Sequence, residues 1–228
     1  MYLWKCWHDT RPFFMVFLVI AAGAMPITAV VCLGTHLVED FGTTVFLPTF
    51  YLILIAVALG LGAIGAIQEF AEKTAHFLFT KPRSRAYFVW AGWAVGCGQL
   101  LVIALVNLSA GWVTLSRYSR SPFRSALFGP IKEQDIAGIL IYALLVYGLT
   151  YSLTAVLRNG LKGLGASMGT IIGLQAFAAA IRVRWNIHVP IPPLPIGGLP
   201  LVISDIAWIL VGLLFVFAAQ LVVERAEI

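Results

Sequence analysis

The side chains able to do chemistry in this chain of 228 residues are few, and one short segment gathers several of them. Glu69, Glu72, Lys73, Thr74 and His76 fall within the single segment EFAEKTAHFLFTKPRSR, Glu69 to Arg85. Wound as a helix, Glu69 to Leu78 places Phe70, Thr74, Phe77 and Leu78 on one side and Glu69, Glu72, Lys73 and His76 on the other. That is the stripe of a surface helix. Pro82 then stops it, because proline has no N–H to continue the ladder. Carboxylates, an ammonium and an imidazole on one face, with no Ser-centred nucleophile motif in the chain, suit contact with a soluble partner. The plainer alternative is an interfacial helix that meets no partner.

Elsewhere the chain offers little for a reaction. Its four histidines, His8, His36, His76 and His188, share no metal-ligand spacing. No Gly-rich loop ending in Gly-Lys-Ser or Gly-Lys-Thr is present, so a nucleotide site of the P-loop kind is not expected in this chain. The apolar runs contain only neutral polar residues such as Gln99, Asn107 and Gln175, while Lys162 and Asp205 sit where their heads can reach an interface. A proton- or ion-coupled carrier ordinarily buries ionisable groups along its path. An intramembrane enzyme and a secondary carrier are therefore both disfavoured, and no cofactor or metal is expected in the chain itself.

The elements that must position the Glu69 to Arg85 segment follow from composition. Hydrophobic residues make up 61%, charged residues 11%, and the mean hydropathy is +0.94. Soluble domains hold about 45–50% apolar and about 25% charged residues. Apolar windows of the roughly 20 residues needed to cross a bilayer run over Phe13 to Leu33, Val45 to Ile67, Tyr87 to Leu108, Ile136 to Leu157, Leu161 to Ile181 and Ile203 to Val223. The expected fold is an all-α integral membrane protein, residues 1–228 forming one transmembrane domain of six spans. The runs are continuous, which opposes a β-barrel. The three cysteines imply no disulfide framework. The first run is too long for a cleaved signal and reads as a retained anchor.

Orientation follows from Lys and Arg, which are retained on the cytoplasmic side. With the amino terminus inside, the inner set is Lys5, Arg11, Lys73, Lys81, Arg83, Arg85, Arg158, Lys162 and Arg225, nine cations against six outside. Both termini are thus expected to be cytoplasmic. The outer loop at Ser109 to Asp135 fits least well, because it carries four cations, Arg117, Arg120, Arg124 and Lys132. Its apolar residues, among them Trp112, Leu115 and Phe123, suit an interfacial segment meeting membrane lipids.

Two more segments lie outside the spans. Met1 to Arg11, with Trp4 and Trp7 beside Lys5 and Arg11, reads as an elbow helix in the headgroup layer, separated from the first span at Pro12. Arg182 to Pro200 holds five of the eleven prolines and reads as an irregular outer cap. Small residues repeat every four positions at Gly165, Gly169 and Gly173, at Ala58, Gly62 and Ala66, and at Gly92 and Gly96. Such stripes let another backbone approach. They can join spans of one bundle or two subunits.

Between the second and third spans, Glu72-Lys73-Thr74, then Phe77 to Thr80, then Pro82-Arg83-Ser84-Arg85 resemble the coupling segment of type-2 ABC transporter permeases. That family often carries Glu-x-Gly-Thr and a Pro-Val-Ser-Arg-like turn here. Lys73 stands where glycine is usual, and Arg83 where a small apolar residue is usual. The six-span layout and the proline-rich last outer loop also match. The resemblance implies a bacterial plasma-membrane exporter subunit, paired with a second, identical or homologous permease. Two copies of an ABC ATP-binding subunit, holding ATP and Mg, would dock on Glu69 to Arg85. It places the first and fifth spans near the two-fold axis, giving the Gly165, Gly169, Gly173 stripe an inter-subunit role. No nucleic-acid partner is implied. The rival reading is a membrane scaffold or assembly factor that holds a partner at the same face without transport.

Overall fold

In hydrocarbon every backbone polar group must be satisfied within its own segment, so apolar runs of this length become helices. The computed structural model describes residues 2–34, 46–70, 85–118, 133–185 and 201–225. All of these except Arg158 and Asn159 are helical. There are six long helices: α1 (Tyr2–Gly34), α2 (Leu47–Phe70), α3 (Arg85–Tyr118), α4 (Glu133–Leu157), α5 (Gly160–Trp185) and α6 (Leu201–Arg225).

Each expected span falls in one helix, apart from Val45, which lies outside the described residues, but several boundaries move: α5 continues through Trp185, so Arg182 to Trp185, expected in the irregular outer cap, is helical, and the rest of that cap lies outside the described residues. α1 runs without interruption through Pro12 and Pro26, so the break expected at Pro12 is absent. Its first turns are held by packing, with Cys6 buried against Phe88 and Ala91 of α3. α3 continues about ten residues beyond Leu108, so Ser109 to Tyr118, expected in an outer loop, is helical. Gly111 lets this extension pack closely, since a side chain there would collide with the Phe46 ring next to α2.

Five helices, α1, α2, α3, α4 and α6, are long and apolar enough to cross a membrane, over Leu3–Thr28, Leu47–Ala66, Ala86–Thr114, Ile136–Leu157 and Asp205–Arg225. Among the described residues α5, 26 residues long, does not stand with these five.

α4 is the central helix: 61% of its span is buried, against 22% for α1 and for α6. It packs on α2, α5, α6 and α3, while α1 packs on α3 and α2. The contacts fix the directions. Thr10 bonds Gln99 and Cys6 meets Ala91, so α1 and α3 run parallel. Tyr147 and Tyr151 bond the carbonyls of Trp93 and Val89 in reverse order, so α4 runs against α3. Gly163 abuts Thr154 and Gln175 bonds Tyr142, so α5 runs against α4. Gln220 of α6 bonds Trp90, which puts the end of α6 beside the start of α3. The start of α1, the end of α2 and the start of α3 therefore share one end of the bundle with the α4–α5 turn and the end of α6. Lys5, Arg11, Arg85, Arg158, Lys162 and Arg225 lie at that end, and Arg117, Arg182 and Arg184 at the other.

Helices in lipid gain little from the hydrophobic effect and associate through close packing and hydrogen bonds. Gly62 is the clearest case of close packing. A Cβ there would stand 2.8 Å from Thr150 Cβ and 3.1 Å from both the Tyr147 carbonyl oxygen and the Tyr151 nitrogen. The Ala58, Gly62, Ala66 stripe, with both alanines fully buried, is thus the contact of α2 with α4. Seven hydroxyls are satisfied locally: Thr10, Thr28, Thr114, Thr150, Ser152, Ser167 and Thr170 each donate to the carbonyl four residues back, whereas the buried Thr154 Oγ1 has no partner. α4 ends at Arg158, whose φ of 49° lies in the left-handed region that often terminates a helix. Asn159 then caps α5 by accepting from the Lys162 N–H at 3.1 Å.

Candidate functional site

The first half of α3 is where the bundle is most heavily tied. Tyr147 and Tyr151 lie one turn apart on α4, and Trp93 and Val89 one turn apart on α3. The tyrosine hydroxyls donate to the two carbonyls at 3.2 and 3.0 Å. Both tyrosines are fully buried, and their rings stand 6.0 Å apart. The register of the two pairs follows from helical geometry alone, since i and i+4 share a face on each helix. On an adjoining flank, Trp90 Nε1 donates to Gln220 Oε1 at 2.7 Å, and Gln220 Nε2 donates to Glu224 Oε1 at 3.1 Å. On a third flank, Gln99 Nε2 donates to Thr10 Oγ1 at 2.7 Å. Three helices, α4, α6 and α1, are thereby bonded to the first fifteen residues of α3, next to the chain that joins it to α2.

Of the residues expected to contact an ATPase, Glu69 lies in the last turn of α2, and its side chain is outside the described residues. Glu72, Lys73, Thr74 and His76 lie outside them altogether. What the structure positions is the pair of ends from which that segment leaves and returns, Phe70 and Arg85. Tyr151 reaches both helices concerned, bonding Val89 and lying 3.8 Å from where a Gly65 Cβ would be.

The second expected site is the small-residue stripe of α5. Side chains built at Gly165, Gly169 and Gly173 would meet nothing within 4 Å. The three glycines point away from α4, whereas Gly163 and Ser167 face it and are buried. Farther along, Thr170 and Ile172 through Phe177 are all exposed, with only Ile171 half-buried. The two similar stripes therefore differ in use: that of α2 is filled by α4, and that of α5 is open. Gly96 belongs with the first kind, since the Tyr147 hydroxyl occupies the space a side chain would need.

Two polar residues of the helices pair with a neighbouring helix, and a third does not. Gln99 joins Thr10, as described above, and both are buried. Gln175 donates to the Tyr142 hydroxyl at 3.5 Å, and Tyr142 stacks on Tyr51 with centroids 5.7 Å apart. Asn107 is fully buried, and neither its Nδ2 nor its Oδ1 has a hydrogen-bond partner. The polar residues of the spans were visible in sequence, but their pairing was not, because Thr10 and Gln99 stand 89 residues apart and Trp90 and Gln220 stand 130 apart. Among the described residues no group of three or more His, Cys, Asp or Glu could hold a metal ion.

The fold and these sites define the chain as a helical membrane protein. No family model, curated protein or solved structure matches it.

Proposed function

We propose that this protein is the membrane-spanning permease subunit of an ATP-driven ABC exporter of the type-2 kind. The observation that carries the reading is the convergence of α1, α4 and α6 on the first half of α3, immediately after the Glu69 to Arg85 segment. A force applied to a coupling helix at Glu69 to Leu78 would enter α3 and pass by direct hydrogen bonds into three other helices. Such contiguous bonded contacts can carry a displacement from one site to another. The chain has no engine of its own in this reading: the energy comes from ATP and Mg on two partner ATP-binding subunits.

In this proposal α5 is a sixth membrane crossing. Its open face, Gly165, Gly169 and Gly173, packs against a second permease subunit, identical or homologous, because small residues let helix backbones approach. The bundle end rich in Lys and Arg faces the cytoplasm of a bacterial cell, with both termini inside. The first turns of α1, continuous with the first span and with Trp4 68% exposed, reach the headgroup layer while their other side packs on α3. A cargo of amphipathic or lipid-like character suits apolar helix surfaces without buried charge.

The test is charge reversal at Glu72 in the assembled complex. Glu72→Lys should lower transport-coupled ATP hydrolysis by at least tenfold, about 1.4 kcal/mol of coupling, while dimer assembly survives. Unchanged coupling would remove this helix as the contact. If no ATPase accompanies the protein and no nucleotide dependence exists, the scaffold reading replaces this one.

A further inference from the structure

The outward side of α1 changes character once along its length. Cys6, Thr10, Phe14, Ala21 and Met25 are buried and mark the side turned to the bundle. Away from them, Trp4, His8, Arg11 and Met15 recur at the i, i+4, i+7, i+11 positions of one exposed face. Trp4 is 68% exposed and the His8 side chain 62%, and Arg11 is exposed as well. Beyond Met15 the outward side is aliphatic, with Val16, Val19, Ile20, Ile27, Val30 and Val31 all exposed. From Met15 to Val31 this surface is about 25 Å long at about 1.5 Å per residue, close to the roughly 30 Å of a hydrocarbon core. Arg11 thus stands one turn before the apolar surface begins, at the depth of lipid phosphates, with His8 and Trp4 one and two turns farther out.

The Trp4 and His8 rings lie 5.2 Å apart and are tilted by 30°, so the face presents a pair of associated rings one turn from a guanidinium. Lys5 and His8 approach Asp9 at 4.0 and 3.6 Å, whereas among the described residues no ion pair engages Arg11. The charge of the whole bundle is also one-sided. Counted by their places in the helices, Lys5, Arg11, Arg85, Arg158, Lys162 and Arg225 share the end where α1 begins with Asp9, Glu69 and Glu224. At the other end Arg117, Arg182 and Arg184 are matched by Glu133, Asp135 and Asp205. The surplus of cations at the first end attracts an anionic surface.

An acidic protein and an anionic lipid would both answer that charge, but the face runs without a break into the aliphatic surface of a span, which lipid tails cover. Arginine is weakly hydrated and matches phosphate oxygens with its fork of donors, and tryptophan favours the boundary where one side is apolar and the other wet. We infer that the Trp4, His8, Arg11 face binds the phosphate of an anionic phospholipid whose acyl chains lie along Met15 to Ile20. The inference needs only that α1 crosses the bilayer, and stands apart from the exporter reading.

The experiment offers the purified full chain, in non-ionic detergent, equal amounts of dioleoylphosphatidylglycerol and dioleoylphosphatidylcholine and counts the lipids it retains by native mass spectrometry. The parent protein should retain the glycerol lipid over the choline lipid by roughly fivefold, the attraction of about one cation to an anionic surface. Arg11→Gln should bring the two lipids to parity, and Arg11→Lys, which keeps the charge, should keep most of the preference and so exclude a mere loss of folding. Arg225→Gln removes the same charge from the same end of the bundle and should leave the preference intact. Equal retention of the two lipids by the parent would overturn the inference. Equal losses in Arg11→Gln and Arg225→Gln would overturn it too, by making the summed charge of that end the cause and leaving no site on α1. So would complete displacement of the lipid by inorganic phosphate alone, which would make the ligand a free phosphate.

Discussion

Tyr151 of α4 donates its hydroxyl to the backbone carbonyl of Val89 in α3, at 3.0 Å across two antiparallel helices. One turn along, Tyr147 repeats the contact with Trp93 at 3.2 Å. The pair forms a two-rung clamp at the point where α3 begins, and both phenol rings are packed out of contact with lipid. In hydrocarbon, interhelical hydrogen bonds measure about 0.6 kcal/mol on average. The clamp therefore contributes modestly to stability, while fixing which residues of α3 follow α4.

Removing one rung gives the first prediction. Tyr151→Phe keeps the ring and deletes the donor, and should lower the unfolding midpoint by about 2–4 °C, the equivalent of about 1 kcal/mol for a chain of this size. Because the two rings are neighbours, Tyr147→Phe and the double variant should depart from additivity. Thermal unfolding of the three proteins checks this, and no shift in any of them would mean the hydroxyls bear no part of the α3–α4 contact.

The two glycine stripes should respond in opposite ways. Gly62→Val drives a side chain into Thr150 and the α4 backbone, and overpacking of this kind costs about 1–3 kcal/mol or more. Gly169→Val meets nothing in the monomer and should leave its unfolding midpoint within the roughly ±0.5 kcal/mol of an ordinary surface change. It should nevertheless reduce self-association measured by crosslinking in membranes. Equal association of Gly169→Val and the parent protein would remove α5 as a subunit contact.

Trp90 and Gln220 join α3 to α6 at 2.7 Å. A cycle of Trp90→Phe, Gln220→Leu and the double variant should return a coupling energy of about 0.6 kcal/mol, and not above about 1.7. Chemical unfolding of the four proteins measures it. A coupling near zero would show that α6 is held to α3 by shape alone.

Topology is open to a direct check. The start of α5 and the end of α6 share one end of the bundle, so Lys162→Cys and Arg225→Cys, in a background without the native cysteines, should label alike. In intact cells both should resist a membrane-impermeant maleimide until the membrane is opened, whereas Arg184→Cys, at the far end of α5, should label at once. Labelling of Lys162→Cys and Arg184→Cys from the same side would exclude α5 as a crossing.

The helices were legible in sequence because continuous apolarity over twenty or more residues has one structural solution in a bilayer. Their limits were harder to see. Ser109 to Tyr118 looked like loop because polar residues and Arg117 interrupt it, yet the helix continues where Gly111 lets Phe46 pack against it. Pro12 looked like a stop, but neighbouring helices support a proline in a span where a soluble helix would kink or end. The stripe at Gly165, Gly169 and Gly173 could be recognised, though not assigned, since spacing says that a helix face is smooth and cannot say whether α4 already covers it. The links between Thr10 and Gln99 and between Trp90 and Gln220 had no sequence signal at all. They depend on which helices become neighbours, and that is settled by the packing of α4 among the others.

The central claim is that force reaches this protein at the segment joining α2 to α3. The most direct measurement places a photoreactive amino acid at Lys73 and irradiates intact membranes. The expected result is a crosslink to a soluble protein that carries a nucleotide-binding Gly-Lys-Ser or Gly-Lys-Thr loop, with a yield that changes when ATP is added. A crosslink confined to lipid, or reaction of the same position with a reagent supplied only from outside the cell, would contradict it.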